Sequence, residues 1–136
     1  MAATALPVNY DLRLYRGDDY FVGLVYDEVD SETGDSLILD VTGWTALLQI
    51  RTAPGGEVWL ALTDTDDLSL GAGSAGGVEV SVWIRSSTTS QDAWAARTQG
   101  TWDIQLTSPD GIVTTPFAGR FFMTQDVSRA SVEVPS

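Results

Sequence analysis

The apolar positions of this chain recur every second residue rather than every third or fourth. In Val78–Arg85, Val78, Val80, Val82 and Ile84 share one parity, while Glu79, Ser81 and Arg85 share the other. Thr101–Thr107 alternates as strictly, with Trp102, Ile104 and Leu106 together, and Glu57–Leu62 places Val58, Leu60 and Leu62 on one side. A helix of 3.6 residues per turn would spread these positions round its circumference; a strand collects them on one face. The same reading predicts strands over Tyr10–Tyr15 (Tyr10, Leu12 and Leu14 inward), Tyr20–Tyr26, Trp44–Arg51 (Trp44, Ala46, Leu48 and Ile50 inward) and Val113–Met123. Tyr20–Tyr26 is apolar on both parities, which predicts a strand covered on both sides.

Turn residues separate these runs. Pro54-Gly55-Gly56 predicts a tight hairpin, and Ser108-Pro109-Asp110-Gly111 a second, with glycine where a positive φ is needed. Asp27–Asp40 and Thr63–Gly77 read as longer polar loops, the second holding a possible short strand at Leu68 and Leu70. One stretch departs from alternation. Ser86–Ala96 offers Thr88 as an N-cap with Gln91 three residues on, predicting one short helix near residues 87–96 with Trp94 closing an end of the core. Seven or eight strands with closely spaced turns predict an antiparallel β-sandwich, with a small closed barrel as the alternative. The expected organisation is an N-terminal arm over residues 1–8, a single domain over 9–129 and a C-terminal tail over 130–136.

Composition narrows the chemistry. The 136 residues are 43% hydrophobic and 10% aromatic, enough for a packed core. Seven basic residues, all arginine, face 19 acidic ones, for a net charge of -12. Histidine, cysteine and lysine are absent. A Ser-His-Asp triad, a thiol nucleophile, an imidazole base, a disulfide and the usual zinc, haem and iron–sulfur ligand sets are therefore excluded. So acidic a body repels phosphate backbones, so no direct nucleic-acid partner is expected. No run of about 18 apolar residues occurs, and Met1–Leu6 does not resemble a signal peptide, so no membrane partner is expected.

Carboxylates remain the only conceivable catalytic groups, at Asp18-Asp19, Asp27-Glu28, Asp30, Glu32, Asp64, Asp66 and Asp67. Their placement in polar turns is that of solvated, amide-capping side chains, so no catalytic set and no cofactor are expected. Asp30, Glu32 and Asp35, and Asp64 with Asp66, are weak Ca²⁺ candidates, since neither group follows the spaced ligand pattern of a calcium loop. Gly71–Gly77 leads into a strand with no following lysine and reads as a connector rather than a phosphate cradle.

The tryptophans carry more information. Trp44 and Trp102 fall on inward parities, whereas Trp59 and Trp83 fall opposite their aliphatic neighbours. Were those strands in one sheet, its outer face would expose two tryptophans, with Leu47 beside them and Arg51 and Arg85 at outward positions. A clustered aromatic patch of that kind marks an interface more often than a chance exposure does. Trp59, Trp83, Leu47, Arg85 and Arg51 are thus the expected contact residues.

Three stretches resemble a group of small tailed-bacteriophage virion proteins. They are Tyr10–Asp19, with its strand and Gly-Asp turn; Asp40-Val41-Thr42-Gly43-Trp44 running to Gln49-Ile50-Arg51; and Gly100–Gly111 followed by Gly119–Arg129, closing on Val127-Ser128-Arg129. The same order is similar to the N-terminal domain of siphophage upper baseplate proteins, over residues 10–129. Trp stands at 44 and 102 where that group has Tyr, and Asp27–Asp40 is longer and more acidic. The resemblance implies an immunoglobulin-like sandwich in a virion, assembled in the host cytoplasm. Its role there would be a non-enzymatic part of the tail, baseplate or neck, bound to other virion proteins and to copies of itself. Head decoration or head-fibre attachment is the alternative, and carbohydrate binding at the host surface a third.

Overall fold

A computed structural model describes residues 8–38, 40–73 and 76–125. Residues 1–7 of the expected arm over 1–8, the tail and the Val127-Ser128-Arg129 motif lie outside the described residues, as do Leu39, Ser74 and Ala75, while Val8 of that arm belongs to a strand of the sandwich. Nine strand segments follow in order: β1 (Val8–Asn9), β2 (Leu12–Tyr15), β3 (Tyr20–Tyr26), β4 (Thr45–Arg51), β5 (Val58–Thr63), β6 (Leu68–Ala72), β7 (Val78–Ile84), β8 (Gln99–Thr107) and β9 (Val113–Thr124). They build two sheets. The larger runs β1-β9-β8-β4-β5, with β2 also on β9, and the smaller runs β3-β7-β6. In the letters used for immunoglobulin domains this is G-F-C-C′ packed on B-E-D. The protein is an all-β sandwich of that kind.

Alternation dictates the interior. Val78, Val80, Val82 and Ile84 of β7 face Leu48 and Ile50 of β4, Ile104 and Leu106 of β8, and Phe121 of β9 in a single core cluster. Each such side chain contributes roughly 1.5–3 kcal/mol by leaving water. With no cysteine to tie the sheets together, that apolar layer holds them.

The N-terminal strand is where the ladder departs from a purely antiparallel sandwich. β1 and β2 run parallel to β9, with Val8 opposite Phe117 and Leu12 opposite Phe121. The break between them falls at Tyr10 and Asp11. There the Tyr10 carbonyl accepts the Trp102 indole N–H at 2.7 Å, and Asp11 Oδ1 accepts the Arg120 N–H. Because this strand completes the larger sheet, nothing among the described residues pairs with the far side of β3.

The helical segment is shorter than its sequence predicts. One α-turn, α1 (Ser86–Thr89), is followed by a separate 3₁₀ turn at Asp92–Trp94. Gln91 is extended (ψ 151°) and separates them. The expected Thr88 cap does not form, since Thr88 lies inside the turn. Its first amide, Ser86 N–H, instead donates to Asp19 Oδ1 at 2.8 Å from across the chain. Trp94 is buried at the end of the core, as its position suggests. Gly111 turns the last hairpin at φ 84°, the left-handed conformation its turn demands.

Candidate functional site

The two outward tryptophans do not share a face. Trp59 lies on β5 in the larger sheet and Trp83 on β7 in the smaller. The β4–β5 register shifts between Ile50 and Arg51, so that Arg51 opposes Val58 and Ile50 opposes Leu60, leaving Trp59 as the extra residue of a bulge. The bulge resets the parity. Trp59 packs edge-on against Trp94 and Phe121 at 6.4 and 6.1 Å between ring centroids, and Val58 takes the exposed position. Arg97 lies over both Trp59 and Trp94. Trp59 is a rim of the core.

Leu47 and Arg51 are half-buried on the outer side of the larger sheet. The Arg51 guanidinium donates to the Gly56 carbonyl at 2.8 Å and to Gln49 Oε1 at 2.6 Å. Across the ladder, Asp103 stands opposite Gln49, and partial burial pushes its carboxyl above the usual range despite the attraction of Arg51.

Trp83 and Arg85 do come together, in a cluster with partners that alternation alone does not reveal. Phe21 is the direct cross-strand neighbour of Trp83, and their rings stack at 5.2 Å with a 17° tilt. The Arg85 guanidinium lies 3.6 Å from the Trp83 ring centroid. Asp67, just before β6, takes Arg85 in a two-point ion pair, Nε to Oδ2 at 2.8 Å and Nη2 to Oδ1 at 3.0 Å. Asp19 Oδ1 accepts the Trp83 indole N–H at 3.2 Å together with the Ser86 amide. The Ser86 amide, then the indole, hold the Asp19 carboxyl below the ordinary range, and Asp67 raises the Arg85 pKa further.

The result is a layered stack, Phe21 then Trp83 then Arg85, on the outer face of the smaller sheet. Phe21 remains 65% exposed, the most exposed aromatic ring of the sheet. The Trp83 indole is tied to Asp19 and the Arg85 guanidinium to Asp67, so carboxylates on both sides order the stack. Gly23, Ser69, Gly71 and Ser81 leave the sheet beside it low. Its chemistry is that of a contact anchor: an aromatic platform, a stacked cation and a carboxylate rim. Phe21, Asp19 and Asp67 escape sequence reading because their role depends on the β3–β7 register and on a turn between sheets.

Three of the five weak Ca²⁺ candidates, Asp30, Asp64 and Asp66, hold backbone amides with their carboxylates. Asp30 Oδ1 accepts the Glu32 and Thr33 amides, which lowers the Asp30 pKa. Asp64 Oδ1 accepts the Ala46 amide, and Asp66 Oδ1 accepts that of Thr63. Asp35 closes the same turn as Asp30 through its carbonyl. Among the described residues no three acidic side chains converge on one point.

No family model and no curated protein matches the sequence. Among solved structures the chain is similar to the crystal structure of the ZIG-8–RIG-5 IG1–IG1 heterodimer, at 9% identity and a TM-score of 0.39, over 90% of this chain and 89% of that one. At that level the likeness adds nothing to the strand order already described.

Proposed function

We propose that this chain is a non-enzymatic structural protein of a tailed-phage virion, placed in the tail, baseplate or neck and working through protein–protein contacts. The Phe21–Trp83–Arg85 stack carries the reading, as an ordered, partly apolar anchor on the surface of a rigid sandwich. A net charge of -12 supports it from another side, because a docking partner must then be met through apolar contact or through the few arginines. The absence of histidine and cysteine from the sequence, and carboxylates tied to backbone amides, favour a scaffold over an enzyme. Trp83 is sandwiched, with Phe21 on the β3 side and Arg85 on the β6 side, so it has no free face to offer a sugar ring.

The test is incorporation into particles. Phe21→Ala with Trp83→Ala is expected to leave a folded domain that enters virions roughly tenfold less or worse, the loss of one anchor. Normal incorporation of that double variant overturns the reading. Copy number then assigns the place, a small closed-ring number for the tail and a far larger one for capsid decoration.

A further inference from the structure

The smaller sheet ends in an edge without the usual protection. β3 pairs with β7 along its whole length and with nothing else among the described residues. It is seven residues long, Tyr20-Phe21-Val22-Gly23-Leu24-Val25-Tyr26, with no charge and no proline. Natural edge strands are blunted by charges, proline, bulges or brevity, because their free N–H and C=O groups template pairing. Nor is β3 covered on both sides, as its composition predicts. Phe21 and Val25 are 65% and 56% exposed on the outer face. Tyr20, Val22, Leu24 and Tyr26 on the inner face are only half-buried, where their β7 counterparts are nearly inaccessible. The other edge, β6, has five residues and packs beside β4 and β5.

We infer that this edge pairs with β3 of a second copy, antiparallel about a two-fold axis through Gly23. The strand is self-complementary about that point. Phe21 meets Val25 of the second copy on the outer face, while Val22 meets Leu24 and Tyr20 meets Tyr26 on the inner face. Pairing β3 to β3 joins two three-stranded sheets into one of six and satisfies the edge amides of both copies. Electrostatics favour the same strip. Between two bodies of charge -12, close approach is cheapest along an uncharged surface. Along the strand itself the carboxylates start immediately outside it, and Glu79 of β7 adds one per copy beside Gly23 on the outer face. In this register Asp19 faces Asp27 and Asp18 faces Glu28 of the second copy, which confines pairing to the seven uncharged positions and makes it grow with salt. The pairing deepens the docking reading and rests on it only in that the chain assembles.

Because the protein has no cysteine, one introduced thiol can bond only to its own copy. Gly23→Cys places two thiols on the axis, where opposed Cα atoms lie about 4.5–5.5 Å apart, within disulfide range. The new side chain meets only the flexible end of Glu79 at 3.3 Å, so the fold tolerates it. Under mild oxidation Gly23→Cys is expected to form a covalent dimer roughly tenfold or more faster than Ser81→Cys, an exposed control one strand in from the edge. Sedimentation of the unmodified chain should show a reversible dimer that strengthens on going from low salt to about 0.5 M. Equal cross-linking rates, a monomer throughout, or a dimer that salt dissociates overturns the pairing. So does cross-linking that appears only once residues 1–7 or 126–136 are deleted, which would make a terminal segment the occupant of the edge. A chain monomeric in all these assays that still enters virions removes the pairing and leaves the docking reading in place.

Discussion

Gly17 donates its backbone N–H to the Thr89 hydroxyl at 2.8 Å, joining the turn after β2 to the helical turn 72 residues later. Thr89 is fully buried, and it is the only buried polar side chain among the described residues. Arg16 reinforces the junction by donating to the carbonyls of Thr89, Ser90 and Gln91. Thr89→Val keeps the shape and removes this acceptor from the buried Gly17 amide. The expected cost is about 1–3 kcal/mol. Thr89→Ser, which restores the oxygen, should recover most of it. Denaturant titration of both variants checks this, and equal stability of the two would show that the hydroxyl contributes nothing.

The two tryptophans once expected on one face should now behave in opposite ways. Trp59 buttresses Trp94 and Phe121, so Trp59→Ala should destabilise the fold by about 2–4 kcal/mol, toward the low end for a partly buried ring. Trp83 sits above the sheet, and Trp83→Ala should cost well under half as much in stability while weakening whatever binding the stack supports. Thermal melts of the two variants side by side decide the matter. A larger loss at Trp83 would place that ring in the core.

The difference between those residues shows what is legible in a sequence of this kind. Alternation locates β2, β3, β4, β5, β7, β8 and β9 and sorts β7 and β8 into inner and outer faces, because burial of one face is enforced at every second position. β1 is two residues long and has no alternation to read, and Leu68 and Leu70 only suggest β6. It misread Trp59 because a bulge adds one residue and inverts the parity beyond it, and the bulge depends on the β4–β5 register rather than on local pattern. It misread Tyr20–Tyr26 for a different reason. Two apolar parities say that a strand wants covering, but not whether the same chain supplies the cover. The helix is one turn long where tertiary contacts hold it, the Gly17 amide on Thr89 and the Asp19 carboxylate on the Ser86 amide. Asp19, Phe21 and Asp67 became visible as a group only once the two sheets were folded.

Gly119 tests the unusual parallel strand. A Cβ at this position would run into the Tyr10 carbonyl oxygen, the same atom that accepts the Trp102 indole. Neither group has room to retreat, since Tyr10 also donates its N–H to the Ala118 carbonyl at 3.0 Å. Gly119→Ala should therefore push β1 and Tyr10 off β9 and lengthen the Trp102 hydrogen bond, at a cost of about 1–3 kcal/mol. Amide exchange should speed up at Tyr10 while β7 stays protected. Uniform exchange across both sheets would mean that the strand is not held where it is described.

Asp103 supplies a pH signature. Burial raises its folded pKa above the ordinary 3.8, with Arg51 only partly opposing the shift. A carboxyl whose pKa is raised on folding holds its proton more tightly in the native state. Stability is therefore highest, for this group, below its unfolded value, and falls as pH rises through the folded one. At neutral pH the charged Asp103 opposes folding, so Asp103→Asn should raise the Tm by roughly 1–3 °C, a modest gain because the group is partly solvated. The gain should shrink toward zero as both proteins are taken below pH ~3.8. Asp19, Asp30 and Asp40 are shifted the other way by hydrogen bonds to their charged forms, and they weaken the fold of both proteins alike in acid. The quantity to follow is thus the difference between the two melting temperatures rather than either alone. A variant less stable than the parent at neutral pH would mean that the attraction of Arg51 outweighs the burial of Asp103.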